Sequence, residues 1–218
     1  MRSSRSIPAG LAAALALLAL APAGAAAQEL APSFSAELHT GVAVPAGGMH
    51  RITSAGPSLG AGVLYRFLPN FGVRADFTAD LMDGNQDSFG NQFPSMKLFH
   101  VTAGMQADLP RPHWQDVPLT TTVNLGAGFT IMDANQNDVP GPVGAFSKTF
   151  FAATGGVQVG YQFTPTFNLY ASGQAYLTFG KRADLDVFAS HSPEVGSFRN
   201  VWDFPFSLGA RFTFPTGG

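Results

Sequence analysis

The sequence predicts an all-β fold, an eight-stranded antiparallel up-and-down transmembrane β-barrel. Beyond residue 33, hydrophobic side chains recur at every second position, which is the period of a β-strand. The alternating segments are long, and short turns alternate with long loops between them. Charged residues make up only 12% of the chain, against about 25% in typical soluble domains. A medium other than water is therefore expected to cover part of the surface.

The first 27 residues are predicted to be a secretory signal peptide that is cleaved after Ala27. Arg2 and Arg5 precede an apolar run over 11–20, and the small residues of "PAGAAAQ" follow it. A basic start, a short apolar centre and small residues are the layout of an export signal. The run is too short for a membrane-spanning helix, which needs about 20 residues. Residues 28–218 are expected to form the exported β-barrel domain.

Composition excludes several classes of protein. The chain has no cysteine and a formal net charge of −2 at pH 7. Without cysteine there is neither a disulfide framework nor a lipid-anchored cysteine. No basic patch points to nucleic acid, so we expect no nucleic-acid partner.

Eight alternating segments are predicted to be strands. They are 34–44, 58–67, 71–82, 97–109, 119–132, 150–163, 167–179 and 201–214. Most are roughly twice as long as a soluble strand of five or six residues. A tilted membrane-spanning strand needs about nine to eleven residues. The lengths therefore fit a bilayer better than water.

The connections between these segments are uneven. Three of them are short, namely "LPN", "TPT" and "PRPHWQDVP", and four are long, at 45–57, 83–96, 133–149 and 180–200. Short turns at one end and long loops at the other are typical of barrels in the outer membrane. We expect the long loops to face the cell exterior.

The two faces of the predicted strands differ in charge. One face is apolar and rich in aromatic residues, and Lys97, at a strand end, is its single ion. The other face carries small and polar residues with eight ions: Glu37, Arg66, Arg74, Asp76, Asp80, Asp108, Asp203 and Arg211. We expect the apolar face to contact lipid and the polar face to line the lumen.

A soluble barrel of the lipocalin kind would also alternate, with its apolar face inward. Its outer surface would then need about 25–35% charged residues for solubility, far more than the polar face offers. The many large apolar side chains would also overfill the interior of an eight-stranded barrel. Both points favour the membrane barrel.

Six of the lumen ions are predicted to form a structural cluster in the half of the barrel near the short turns. They are Glu37, Arg66, Arg74, Asp76, Asp108 and Arg211. Because an unpaired buried charge is costly, they should pair with one another. Glu37 and Arg211 should be adjacent, since the first and last strands must close the barrel. The alternative is that each ion is solvated separately by water in the lumen.

Two of the short turns share a sequence pattern. "YRFLPNF" at 65–71 and "YQFTPTF" at 161–167 each run alternate aromatic residues into a turn with proline and out again. Aromatic rings are favoured at a bilayer interface. Proline fixes φ in a turn without loss of a ladder hydrogen bond. These rings are expected on the periplasmic rim.

From Phe34 to Phe214 the chain resembles the small eight-stranded outer-membrane proteins, the OmpA- and OmpX-like barrels. The final strand, "WDFPFSLGARFTF", is similar to the C-terminal assembly signal of that family, here Phe206, Leu208, Phe212 and Phe214. The resemblance implies a monomer in the cell outer membrane, surrounded by its lipids and assembled by the barrel assembly machinery. "PTGG" after the last aromatic residue departs from the family pattern. Pro205 is expected to cause a bulge or a late strand start.

The sequence offers one compact set of catalytic residue types, "SHSPE", with His191, Ser192 and Glu194. Adjacent residues of an extended loop point apart, so we expect no catalytic site there and no enzyme. His39 and His100 each face the lumen alone and are interpreted as polar filler rather than ligands.

Two tracts begin like a calcium-binding loop, with Asp83, Asn85 and Asp87 in one and Asp133, Asn135 and Asn137 in the other. In the first tract Ser88 stands where glycine is needed, and Pro94 stands where glutamate is needed. Both are interpreted as turn-forming tracts, and no metal or cofactor is expected.

Three functions remain open from the sequence. The first is a non-enzymatic barrel with a structural or surface-interaction role through its four long loops. The second is a small channel or transporter for water, ions or a small apolar solute. The third is a lipid A-modifying enzyme.

Overall fold

The computed structural model describes residues 32–86, 88, 90, 92–110, 118–134, 146–180 and 200–215. Eight strands follow one another: β1 Ser33–Ala46, β2 Gly56–Leu68, β3 Phe71–Met82, β4 Met96–Asp108, β5 Leu119–Ala134, β6 Phe146–Thr164, β7 Phe167–Phe179 and β8 Asn200–Pro215. Each pairs antiparallel with its sequence neighbours, and β1 pairs with β8 to close the barrel. The predicted fold class is confirmed.

The strand bounds differ from the prediction mainly at the long-loop end. β3 and β7 have the predicted bounds, whereas β6 begins at Phe146 rather than at residue 150. Its first residues continue the ladder, with Ser147 opposite Asp133. Polar residues at this end interrupt the hydrophobic alternation in the sequence, but the backbone hydrogen bonds continue.

The expected bulge or late start at Pro205 is wrong. β8 begins at Asn200 and passes through Pro205, which lies opposite Ala43 of β1. The β7–β8 register is the same on both sides of the proline, although pairing lapses between Tyr176 and Gly173. Proline has no N–H to donate, so a short gap in one ladder accommodates it without an extra residue.

The two proline-containing turns share a backbone irregularity that the sequence did not reveal. The register shifts between Arg66 and Leu68 in one hairpin and between Gln162 and Thr164 in the other. Phe67 and Phe163 are therefore the extra residues of two equivalent β-bulges. A bulge bends the strand and increases its twist. The repeated sequence thus produces the same corner twice on the outer wall of the barrel.

The loop after β1 contains a short helix, α1 Met49–Ile52, which was not predicted. Gly47 has a φ of 63°, a left-handed conformation that glycine adopts without strain, and it turns the chain away from β1. Met49 and Ile52 are buried, so this loop folds back into the mouth of the barrel. None of the helices in the described residues is long and apolar enough to cross a membrane.

Candidate functional site in the barrel lumen

Among the described residues, four groups of side chains follow one another in the lumen from the short turns to the long loops: a rim pair, an ionic layer, a histidine cluster and an apolar layer. Strand alternation directs them inward: in β3, exposed and buried residues alternate along "FGVRADFTADLM". The same alternation places large hydrophobic side chains outside on every strand, with Leu208 as much as 69% exposed. Within the described strands, the buried charged and polar side chains therefore lie in the interior.

The ionic layer consists of Glu37, Arg74, Asp76 and Arg211. Arg211 Nε lies 2.6 Å from Glu37 Oε1, and Arg74 Nη2 lies 3.4 Å from Glu37 Oε2. Arg74 Nε also donates to Asp76 Oδ2 at 2.6 Å. All four side chains are buried. Two carboxylates balance two guanidinium groups, which makes the layer electrically neutral.

Three neutral side chains complete the hydrogen bonding of the ionic layer. Gln106 Oε1 accepts from Arg74 Nη1 at 2.9 Å, and Gln158 Oε1 accepts from Arg211 Nη2 at 2.5 Å. The Tyr170 hydroxyl donates to Glu37 Oε2 at 3.2 Å. Since these groups come from β1, β3, β4, β6, β7 and β8, the network crosses the lumen.

The rim pair, Arg66 and Asp108, lies apart from the ionic layer. Arg66 Nη2 is 2.9 Å from Asp108 Oδ2, and the two side chains are 21% and 26% exposed. Gln106 Nε2 connects this pair to the ionic layer by donating to Asp108 Oδ1 at 3.4 Å. All six ions of the expected cluster thus make ion pairs, in two groups rather than one.

Glycines in the wall leave room that neighbouring polar side chains occupy. A Cβ added at Gly209 would lie 2.6 Å from the Tyr170 hydroxyl oxygen, and one added at Gly62 would lie 2.5 Å from Asp76 Oδ1. The space at these glycines is therefore taken by Asp76 of the ionic layer and by Tyr170, which donates a hydrogen bond to that layer. At this level, side chains from several strands of the wall meet in the lumen.

The histidine cluster consists of Asp80, His100 and Asp203, all 0% exposed. His100 Nε2 lies 3.3 Å from Asp80 Oδ2 and 3.4 Å from Asp203 Oδ2. The interpretation of His100 as a lone filler is wrong, because Asp80 on the neighbouring strand β3 and Asp203 on β8, across the closed barrel, both lie next to its ring. The half-buried His39 is separate and lies 3.5 Å from Thr78 Oγ1.

Apolar side chains pack together beyond the histidine cluster, toward the long loops. This apolar layer was not anticipated, although its strand residues have the inward parity. Its members are Ala43, Met49, Ile52, Met82, Phe93, Met96, Leu98, Met132, Ala134, Phe150 and Val201. The sequence feature that could have indicated this apolar layer is the group of methionines at the loop ends of β3, β4 and β5.

Several predicted residues lie away from the lumen or outside the described residues. Phe206, Leu208, Phe212 and Phe214 are on the exposed outer wall. Asn85 Nδ2 donates to the His50 carbonyl at 2.8 Å, and the Asp83 carbonyl accepts from the Ser54 N–H at 2.9 Å. His191, Ser192, Glu194, Asp87, Asn135 and Asn137 lie outside the described residues.

A closed eight-stranded barrel with an apolar outer wall and a polar, ion-paired interior defines an integral membrane β-barrel protein. The chain belongs to the family described as outer membrane protein beta-barrel domain, whose model matches residues 13–214. The resemblance to small outer-membrane barrels is confirmed, and the protein is located in the outer membrane. No curated protein matches the sequence of this chain.

Solved structures of outer-membrane proteins share the fold. A major outer membrane protein from Thermus thermophilus is 14% identical, with a TM-score of 0.56 over 84% of this chain and 100% of that one. Neisserial surface protein A is 16% identical, with a TM-score of 0.53 over 84% and 97%. OprG from Pseudomonas aeruginosa is 13% identical, with a TM-score of 0.51 over 85% and 97%.

Proposed function

We propose that the protein is a sealed, non-enzymatic outer-membrane barrel that holds four long loops at the cell surface for structural or interaction roles. The supporting observation is the ionic layer, whose buried Glu37, Arg74 and Arg211 are joined across the lumen by charge-assisted hydrogen bonds. Separating the two members of such an ion pair costs free energy, because each buried charge is then left without its partner. A solute would have to break several of them to pass.

The apolar layer supports the same proposal. A hydrated ion that crossed the barrel would have to pass both this layer and the ionic layer. Met49 and Ile52, carried by α1, are buried within it, so one long loop contributes to closing the barrel mouth. The channel or transporter remains the alternative function.

The histidine cluster does not favour catalysis. The Thr130 hydroxyl lies 2.8 Å from His100 Nδ1, with the carboxylates on the other ring nitrogen. This sequence of hydroxyl, imidazole and acid resembles the groups of a nucleophilic triad. Thr130 and His100 are both 0% exposed, however, and a lipid or peptide substrate cannot reach them. No lipid-modifying activity is proposed.

Conductance in planar bilayers tests the sealed lumen. The folded chain is expected to give no unitary current steps at a protein density at which a general porin conducts. Regular steps from the wild-type chain, absent from a protein-free bilayer, would contradict the seal and favour the channel alternative.

Tag accessibility tests the surface role. An epitope tag inserted within 181–199 or 135–145 is expected to bind antibody on intact cells. The matched control is the same tag in the turn at 165–166, which should bind only after the outer membrane is permeabilised. The opposite pattern would place the long loops in the periplasm and contradict a surface role.

A further inference from the structure

We propose that the histidine cluster, Asp80, His100 and Asp203, binds one divalent transition-metal ion of the zinc type. Its ligands would be one oxygen from each carboxylate and Nε2 of the imidazole. The three ligand atoms lie within 4.8 Å of one another, and all three residues are buried. The proposal is independent of whether the barrel conducts or interacts at the cell surface.

The histidine cluster lacks hydrogen bonds to its metal-facing atoms from the described residues. Among the described residues, no protein group makes a hydrogen bond to the carboxylate oxygens of Asp80 and Asp203 or to His100 Nε2. Buried polar groups in native proteins nearly always have partners, and buried charges are paired or coordinate metals. One such atom from each of the three residues lies within 4.8 Å of the other two, an arrangement suited to a shared cation.

The distances from His100 Nε2 to the two carboxylates also suit a metal site. His100 Nε2 is 3.3 Å from Asp80 Oδ2 and 3.4 Å from Asp203 Oδ2. A direct hydrogen bond from imidazolium to carboxylate would be about 2.7–2.9 Å long. Two ligands of a tetrahedral zinc ion with bonds of about 2.0–2.2 Å are about 3.3–3.6 Å apart. Both separations measured from His100 Nε2 fall in the range for ligands of a common ion.

The imidazole of His100 is held in one orientation by its other neighbours. Thr130 Oγ1 lies 2.8 Å from His100 Nδ1 and accepts a hydrogen bond from Thr178 Oγ1 at 2.9 Å. The Tyr176 ring stacks on the imidazole with centroids 4.0 Å apart. Metal-ligating histidines typically have their other ring nitrogen fixed in this manner. Nε2 is thus directed at the two carboxylates.

Charge and ligand type select the ion. Two carboxylates and a neutral imidazole carry a charge of −2, which one divalent cation cancels. Nitrogen from histidine and oxygen from aspartate are both established zinc ligands. Ser58 lies opposite Asp80 in the β2–β3 register, and its Oγ also makes no hydrogen bond to a described protein group. A hydroxyl at this level is suited to the fourth position.

A bound ion would link β3, β4 and β8 between the ionic layer and the apolar layer. Because a ligand that binds only the folded state stabilises it, the ion would act as a structural link inside the barrel. The cluster is enclosed by packed side chains. We therefore expect the ion to enter while the barrel folds rather than afterwards.

Refolding with metal tests the proposal. The denatured chain is refolded into detergent micelles with Zn²⁺ or with EDTA, desalted, and analysed for metal by mass spectrometry. We expect about one zinc per folded chain, at least a five-fold loss in His100→Gln and Asp203→Asn, and a higher unfolding temperature for the zinc-loaded wild type. The matched control, His39→Gln, makes the same substitution at a lumen histidine outside the cluster and should retain the metal.

Three outcomes would overturn the proposal. They are no zinc retained by the folded wild type, equal retention by wild type and His100→Gln, or equal loss in His39→Gln. Should the variants not fold, Co²⁺ in the wild type decides the question. Four-coordinate cobalt gives intense visible absorption bands, and their absence from the folded, Co²⁺-refolded chain would also overturn the proposal.

Discussion

Glu37 and Arg211 lie directly opposite each other where β1 pairs with β8, and Arg211 Nε is 2.6 Å from Glu37 Oε1. The seam of the barrel is therefore closed by backbone pairing and by a buried ion pair at the same register. A slip of one residue would turn one of these strands inside out and expose its charged side chain to lipid. The ion pair thus helps to specify the closing register.

Glu37→Gln should destabilise the barrel, because it removes the carboxylate shared by Arg211 and Arg74. Loss of one partner of a buried ion pair costs roughly 3–5 kcal/mol, measured as the free energy of unfolding in urea from lipid vesicles. The control is Asp108→Asn in the partly exposed rim pair, which should cost less than about 1 kcal/mol. Equal decreases in the free energy of unfolding for the two variants would contradict a larger stabilising contribution from the ionic layer than from the rim pair.

Gly209→Ala should also be destabilising. The added Cβ would lie 2.6 Å from the Tyr170 hydroxyl oxygen and 2.7 Å from the Leu38 carbonyl oxygen. Overpacking of this kind costs about 1–3 kcal/mol. Gly173→Ala is the matched control, since its Cβ would be 3.4 Å from the Phe206 ring. Equal unfolding free energies for both variants would contradict the close packing at Tyr170.

The free-energy cost of a charged residue on the lipid-facing wall should depend on its depth in the bilayer. Leu208→Arg places a guanidinium well inside the span of β8, where the cost is about 2–4 kcal/mol at the bilayer midplane. Leu81 is one residue from the end of β3 and opposite Lys97. Leu81→Arg should therefore cost about 0–1 kcal/mol, the range for a charged residue near the bilayer interface. Unfolding free energies in vesicles measure both, and the reverse order would contradict the assigned depth.

Phe214→Ala should reduce assembly in cells, if the C-terminal signal is read from Phe206, Leu208, Phe212 and Phe214. We expect less folded barrel in the outer membrane, measured as the fraction with the shifted gel mobility of unheated samples. Phe163→Ala removes a similarly exposed aromatic ring at a turn and serves as the control. A larger effect from Phe163→Ala would contradict a special role for the C-terminal strand.

Strand number, order and sidedness could be predicted because they depend on local patterns. Hydrophobic alternation, segment length and the alternation of short and long connections indicate a barrel without knowledge of its contacts. The pairing of Glu37 with Arg211 could be anticipated from closure alone, since both have inward parity on the first and last strands. The pairing of Arg66 with Asp108 was less accessible, because it depends on the relative stagger of β2 and β4.

Other features depend on contacts between distant segments. The proximity of Asp80, His100 and Asp203 can be deduced only when the register of β3, β4 and β8 is known. Single residues on separate strands form no sequence motif. The burial of Met49 depends on a loop that folds back onto the barrel, and the hydrophobic periodicity of the sequence does not indicate such a fold. The bulges at Phe67 and Phe163 leave the aromatic alternation of the sequence intact, so the sequence pattern does not indicate them.

The most direct test of the account is a nitroxide scan along β5, since the chain has no native cysteine. Single cysteines replace outward Val123, Leu125 and Phe129 or inward Thr122 and Thr130, and collision rates with oxygen are measured in lipid vesicles. We expect high rates, typical of acyl chains, at the first three positions and low rates at the two threonines. Uniform rates, or the inverse alternation, would contradict a lipid-covered apolar wall around a sealed polar interior.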